Sequence, residues 1–183
     1  MQTNTPSASR DAIITATRTW LEKAVIGLNL CPFAKAVHVK NQIRYIVSAA
    51  TDTEALLSDL ENELQALHAA DAADIDTTLL IFPDVLQDFM DYNDFLEVAD
   101  AAIEKLELDG EIQIASFHPQ YQFAGTKTDD IENYTNRSPY PILHLLREAS
   151  IERAVAAFPE AEMIFEKNME TLRQLGLEGW RKL

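Results

Sequence analysis

Three short apolar runs, QIRYIVSAA at 42–50, DTTLLIF at 76–82 and EIQIASF at 111–117, are separated by helical stretches of fifteen or more residues. That alternation constrains the fold more than any other feature. Strands joined through helices of this length pair in parallel through right-handed crossovers, because a tight hairpin has no room for the helix. The first connecting segment carries Thr51 and Glu54 in capping-box spacing, and Ala55, Leu56, Leu60, Leu64 and Leu67 form its apolar stripe. The second runs to Leu108, with Phe95, Val98, Ala102, Ile103 and Leu106 facing inward.

Helices flank this unit on both sides. Ser9 caps a helix that extends to Ile26 and stops at Gly27. Beyond the third run, Ser138-Pro139 reads as an N-cap and first helical residue opening YPILHLLREASIERAVAAF. Pro159 breaks that helix, and a last one follows from about Glu160 to Leu175. The expected fold is a small α/β domain over residues 9–183, preceded by a disordered tail at 1–8. Its sheet is short, parallel and three-stranded, flanked by about five helices. An α+β arrangement with one antiparallel pair is the alternative.

Parallel strands align their carboxyl ends. Ser48, Phe82-Pro83 and Phe117-His118-Pro119 then share one rim, where open α/β sheets bind ligands. Residues 117–141 leave that rim as a long segment without helix or strand pattern, yet it contains five aromatic residues. So much apolar surface favours an ordered, packed loop.

Several residues there have useful chemistry. His118 follows a strand directly and suits acid/base work or anchoring of a polar group. Arg137, beside the expected helix start at Ser138, would cradle a phosphate or carboxylate together with Asn133 and Asn136. Tyr121 and Tyr134 would wall the pocket. Cys31, with Lys35 nearby, is a candidate nucleophile if activated and a structural cysteine if buried. A weaker reading makes Cys31, His118 or His144 a haem or metal ligand, with His144 and Glu148 sharing a helix face four residues apart. Phosphate loops, dinucleotide fingerprints, serine-hydrolase elbows and zincin motifs do not occur.

Charge is distributed unevenly. The chain carries a net charge of −15, and eighteen acidic residues fall between Thr51 and Glu111 against one basic residue, Lys105. Such a surface repels nucleic acid, whose binding needs Lys and Arg on phosphates. It serves as a solvated face or as a docking surface for a basic partner. A lone cysteine, no apolar span long enough for a membrane and no signal-peptide pattern point to a cytoplasmic protein.

The segments GLNLCPFAK, ASFHPQYQFAGT and DDIENYTNRSPYPILHLLREASI resemble an uncharacterised bacterial family, domain of unknown function 1415. The likeness extends over nearly the whole chain beyond the N-terminal tail. It implies a single-domain, cytoplasmic bacterial protein and carries no activity with it. The leading expectation is a small-molecule enzyme or binding domain that holds an anionic ligand under the 117–141 loop. The alternative is a non-catalytic protein whose acidic middle third meets a basic partner.

Overall fold

A computed structural model describes residues 8–183, so all but the last residue of the expected disordered tail lies outside the described residues. The four strands are β1 (Ile43–Val47), β2 (Thr77–Ile81), β3 (Ile112–Phe117) and β4 (Ile142–Arg147), arranged in the order β1-β2-β4-β3. β1 and β2 are parallel, as the intervening helix requires. β4 lies antiparallel between β2 and β3. The three expected strands therefore all run the same way, and a fourth, opposed to them, is inserted in their midst.

β4 corrects the helix expected to open at Ser138-Pro139. Ile142–Arg147 is extended, and helix begins only at Glu148, in α5 (Glu148–Ala157). The run ILHLL has no polar face, since both of its faces are covered, and periodicity cannot tell a buried central strand from a buried helix. Ser138 does not cap a helix; its hydroxyl donates to the Tyr140 carbonyl and tightens the turn that enters β4. Pro141 precedes the strand, so its missing N–H breaks no ladder bond. The sheet is thus mixed and four-stranded, parallel between β1 and β2 and antiparallel on both sides of β4, in place of the expected three parallel strands.

One face of the sheet carries the main core. α3 (Thr53–Ala69) buries Leu56, Leu60, Leu64 and Leu67, all fully inaccessible. α4 (Phe89–Lys105) buries Tyr92, Phe95, Ala99, Ala102 and Ile103 against the same face. Their caps are carboxylates. Asp52 Oδ1 accepts the Ala55 N–H at 2.8 Å, one residue beyond the expected Thr51 cap. Asp88 Oδ1 accepts the Met90 N–H at 2.8 Å. Arg147, at the far end of β4, donates to the Leu67, Ala70 and Ile75 carbonyls and so satisfies the C-terminal end of α3.

The opposite face is covered more thinly. α1 (Arg10–Trp20) starts from Ser9, whose hydroxyl accepts the Ala12 N–H as expected. It continues through Leu21–Ile26 as a wider π-helical turn and lays Ile13 on Leu79, Ile81 and Ile142. A short α2 (Ala34–Val39) follows the Cys31-Pro32 bend. The chain closes with α6 (Ile164–Trp180), which Gly176 interrupts with a left-handed φ of 64°. No helix among the described residues is long and apolar enough to cross a membrane.

Candidate functional site

Because β1, β2 and β3 point the same way, their carboxyl ends do share a rim. There the Ser48 N–H donates to the Ile81 carbonyl, the Phe82 N–H to the Pro141 carbonyl and the His118 N–H to the Asn136 carbonyl. Tyr92 is fully buried beneath this rim. Its hydroxyl donates to the Ile142 carbonyl at 2.8 Å and accepts the Phe117 N–H at 3.0 Å, joining the start of β4 to the end of β3. Burial drives its phenol far above the usual tyrosine range, so it acts as a neutral bridge.

His118 follows β3, an edge strand of the sheet, and has no exposed surface. Its Nε2 lies 3.0 Å from the Leu86 carbonyl, which only accepts, and its Nδ1 accepts the Gln120 N–H at 3.0 Å. Those partners specify the neutral imidazole with its proton on Nε2. Burial holds the ring below the ordinary histidine range, against opposing pulls from the Leu86 carbonyl and Asp88. Phe89 and Tyr92 wedge the ring with centroids 5.5 and 4.9 Å away. Both nitrogens are in use, so acid/base work would require one of these bonds to open.

The 117–141 segment is an ordered loop, built around a 3-10 turn at Ile131–Asn136. Asn133 is fully buried: its Oδ1 accepts the Phe123 N–H and the Thr126 hydroxyl, and its Nδ2 donates to the Lys127 carbonyl. Asn136 Nδ2 donates to the Ser116 carbonyl at 3.0 Å, tying the loop to β3. Arg137 stands before a turn and a strand, so the expected helix N-terminus beside it does not exist. Its Nε donates to the Tyr121 carbonyl, its Nη2 to the Thr128 carbonyl, and its guanidinium stacks on Tyr134 at 4.3 Å. Aromatic contacts then fasten the loop outward, Tyr121 to Phe89, Phe123 to Phe165, and Tyr134 to Trp180. These side chains hold the loop's own backbone together.

The remaining candidates lie elsewhere. His144 is in mid-strand on the α1 face, whereas His118 packs against α4 on the other. Thr77 gives its hydroxyl proton to the Leu145 carbonyl, so His144 Nε2, 2.7 Å away, donates to Thr77. Desolvation pushes His144 down to about 4. Strand geometry also separates it from Glu148, which begins α5, so the expected shared helix face is gone. Cys31 is half-buried beside Pro32, in a turn whose Leu30 carbonyl accepts from Asn168 of α6. Burial raises its thiol, the opposite of what a nucleophile or thiolate ligand needs. Among the described residues no group of three or more His, Cys, Asp or Glu side chains is arranged to hold a metal.

An open groove lies between the starts of α3 and α4. It has a volume of about 540 Å³. Leu57, Leu86, Phe95 and Val98 provide apolar lining, and Glu54, Asp91 and Asp94 stand around it with no basic side chain among the lining residues. Val98 is 41% exposed, and Met90, about two turns earlier on α4, is 63% exposed. Lys105, the one cation of the acidic third, is occupied by Glu61 at 2.8 Å. Leu86 takes a left-handed φ of 55°, a conformation that costs a non-glycine residue about 1–2 kcal/mol. The His118 bond to its carbonyl helps hold it there. No sequence signal marks that strain, because leucine is an unusual choice for the left-handed region.

A smaller cavity of about 360 Å³ lies between the turn at Leu28–Pro32 and α6, with Asn168 and Lys167 among its lining residues. No curated protein and no solved structure matches the chain. Residues 12–182 match the family described as a protein of unknown function, DUF1415, and the chain belongs to that family.

Proposed function

We propose that the protein is a non-catalytic binding module that receives a basic segment of a partner protein in the groove between α3 and α4. The observation that carries this reading is the lining of the groove, apolar side chains ringed by the carboxylates of Glu54, Asp91 and Asp94 without a cation. Acidic side chains at a helix start often only offset the helix dipole. Here Asp52 and Asp88 already fill that role as caps, and Asp94 lies beyond the first turn of α4. The surplus charge faces an apolar surface, a combination suited to lysine or arginine side chains whose methylene stems bury while their charged ends pair.

The test is fluorescence anisotropy with a labelled peptide of alternating Lys and Leu, against a Glu/Leu peptide of the same length. The basic peptide binds, the acidic one does not, and affinity falls steeply with added salt. The Asp91→Asn, Asp94→Asn double variant weakens binding several-fold, as expected for two partly exposed pairs worth about 0.2–1 kcal/mol each. Binding that ignores both salt and the double substitution would falsify the proposal.

A further inference from the structure

His118 does not line the groove, yet it holds one of the residues that does. Its Nε2–H grips the carbonyl of Leu86, whose side chain forms part of the apolar lining. Its Nδ1 grips the Gln120 N–H, at the start of the long aromatic loop. One ring therefore ties the groove's lip to the 117–141 loop. Leu86 is the strained member of the pair, with its backbone in the left-handed region.

We infer that His118 is a positioning residue for the groove, and that its protonation breaks the tie to the loop at Gln120, displaces the Leu86 lip and lowers affinity for a basic segment. This rests on the reading of the groove as the binding surface. The chemistry is a change of role at Nδ1. In the neutral ring Nδ1 accepts from the Gln120 N–H; in the imidazolium both nitrogens are donors, and two N–H groups face each other. Nε2–H stays a donor to the Leu86 carbonyl, so the break falls at Gln120: the residues from 118 to 120 must move, and the ring carries the Leu86 carbonyl with it. A second effect has the same sign, because a positive charge arises beneath a groove that attracts cations.

The groups around the ring decide whether it titrates alone. Asp88, the cap of α4, favours protonation, whereas burial among Phe89 and Tyr92 opposes it more strongly. Tyr121, from the loop, packs on Phe89 beside the ring. The folded ring is thus harder to protonate than the unfolded one. What it contributes to stability is complete above the ordinary histidine value of about 6.5 and is lost as pH falls. His144, pushed down to about 4, stays neutral between pH 7.5 and 5.0 and does not contribute there.

The experiment uses the full chain at constant ionic strength, with the labelled Lys/Leu peptide as probe. Affinity is measured from pH 7.5 to 5.0 for the native protein and for His118→Gln, whose side-chain amide offers an N–H toward Leu86 and does not titrate. We expect the native affinity to fall three- to tenfold across the range and the His118→Gln curve to stay flat. Equal slopes in the two proteins, or no slope in the native one, overturn the inference. In parallel, histidine ring nitrogens and backbone amides of the native protein are followed by NMR without peptide, which covers the case in which His118→Gln fails to fold. His118 starts as the Nε2–H tautomer, and the Leu86 and Gln120 amides shift together as it protonates. A ring that stays neutral to pH 5.0, or amides that do not follow it, refutes the latch. If the peptide does not bind the native protein at pH 7.5, the groove reading has failed, and the NMR titration still decides whether His118 couples lip and loop.

Discussion

Asn133 illustrates what the irregular middle segment demands of its polar residues. A buried loop backbone leaves N–H and C=O groups without ladder partners, and a primary amide supplies a donor and an acceptor in one side chain. Asn133 serves two donors and one acceptor in this way. Asn133→Ala strands buried backbone groups and is expected to destabilise the protein by about 2–3 kcal/mol in urea unfolding. His144 gives a second expectation, with a pH signature. Its folded value of about 4 lies well below the ordinary histidine value, so folding keeps it neutral while the unfolded chain protonates. Stability is full above about pH 6.5 and is lost as pH falls toward 4, by as much as about 3 kcal/mol. His144→Leu removes the His144 share of that slope and leaves the smaller His118 share, while Thr77 keeps its bond to the Leu145 carbonyl. Urea midpoints at pH 7.5 and 4.5 for both proteins check this. At this scale the sequence was legible in kind and silent in partner. Asn, His and Arg in an aromatic loop mark an ordered structure. Whether their polar atoms meet a ligand or the loop itself depends on backbone positions that no residue spacing encodes.

Among elements, β4 separates what pattern reveals from what it conceals. The carboxyl rim of β1, β2 and β3 was legible, because long amphipathic helices between apolar runs leave little choice of direction. β4 was not, since Ile142, Leu143 and Leu145 are buried on two faces and the run shows neither period. Proline at 139 and 141 suited a helix start as well as the entry to a strand. The consequence is kinetic as well as structural. β4 is bonded on both sides, to β2 through five register pairs and to β3 through six. Its amides should exchange only through global unfolding and fall in the slowest class by hydrogen–deuterium exchange. The amides of α5, a helix without a fully buried residue, should exchange much faster. Comparable rates in the two elements would contradict this placement. Leu145→Ala, which opens a cavity in the main core, should cost about 2–5 kcal/mol in the same unfolding assay.

For the whole molecule, the decisive property is that one third of the chain carries more negative charge than the whole, the rest being slightly positive. Like charges spread over α3, α4 and their connections repel one another, and few have partners: Glu61 meets Lys105, Glu63 meets Arg44, and Glu111 meets His68. If the acidic face only kept the protein in solution, removing two charges beside the groove would leave binding unaffected. If the face receives a basic segment, stability and binding respond in opposite directions. The Asp91→Asn, Asp94→Asn variant is then expected to gain a few tenths of a kcal/mol, because each substitution relieves repulsion at an exposed site. The same variant loses affinity for the Lys/Leu peptide. Added salt should act alike, raising the thermal midpoint of the native protein while weakening the complex. Thermal unfolding and anisotropy, run on one set of samples from 20 mM to 300 mM salt (concentrations on the order of those that bracket a Debye length of 10 Å), read both effects. Opposite slopes mean that the protein tolerates self-repulsion on this face for the sake of a partner, and parallel or flat slopes mean that it does not.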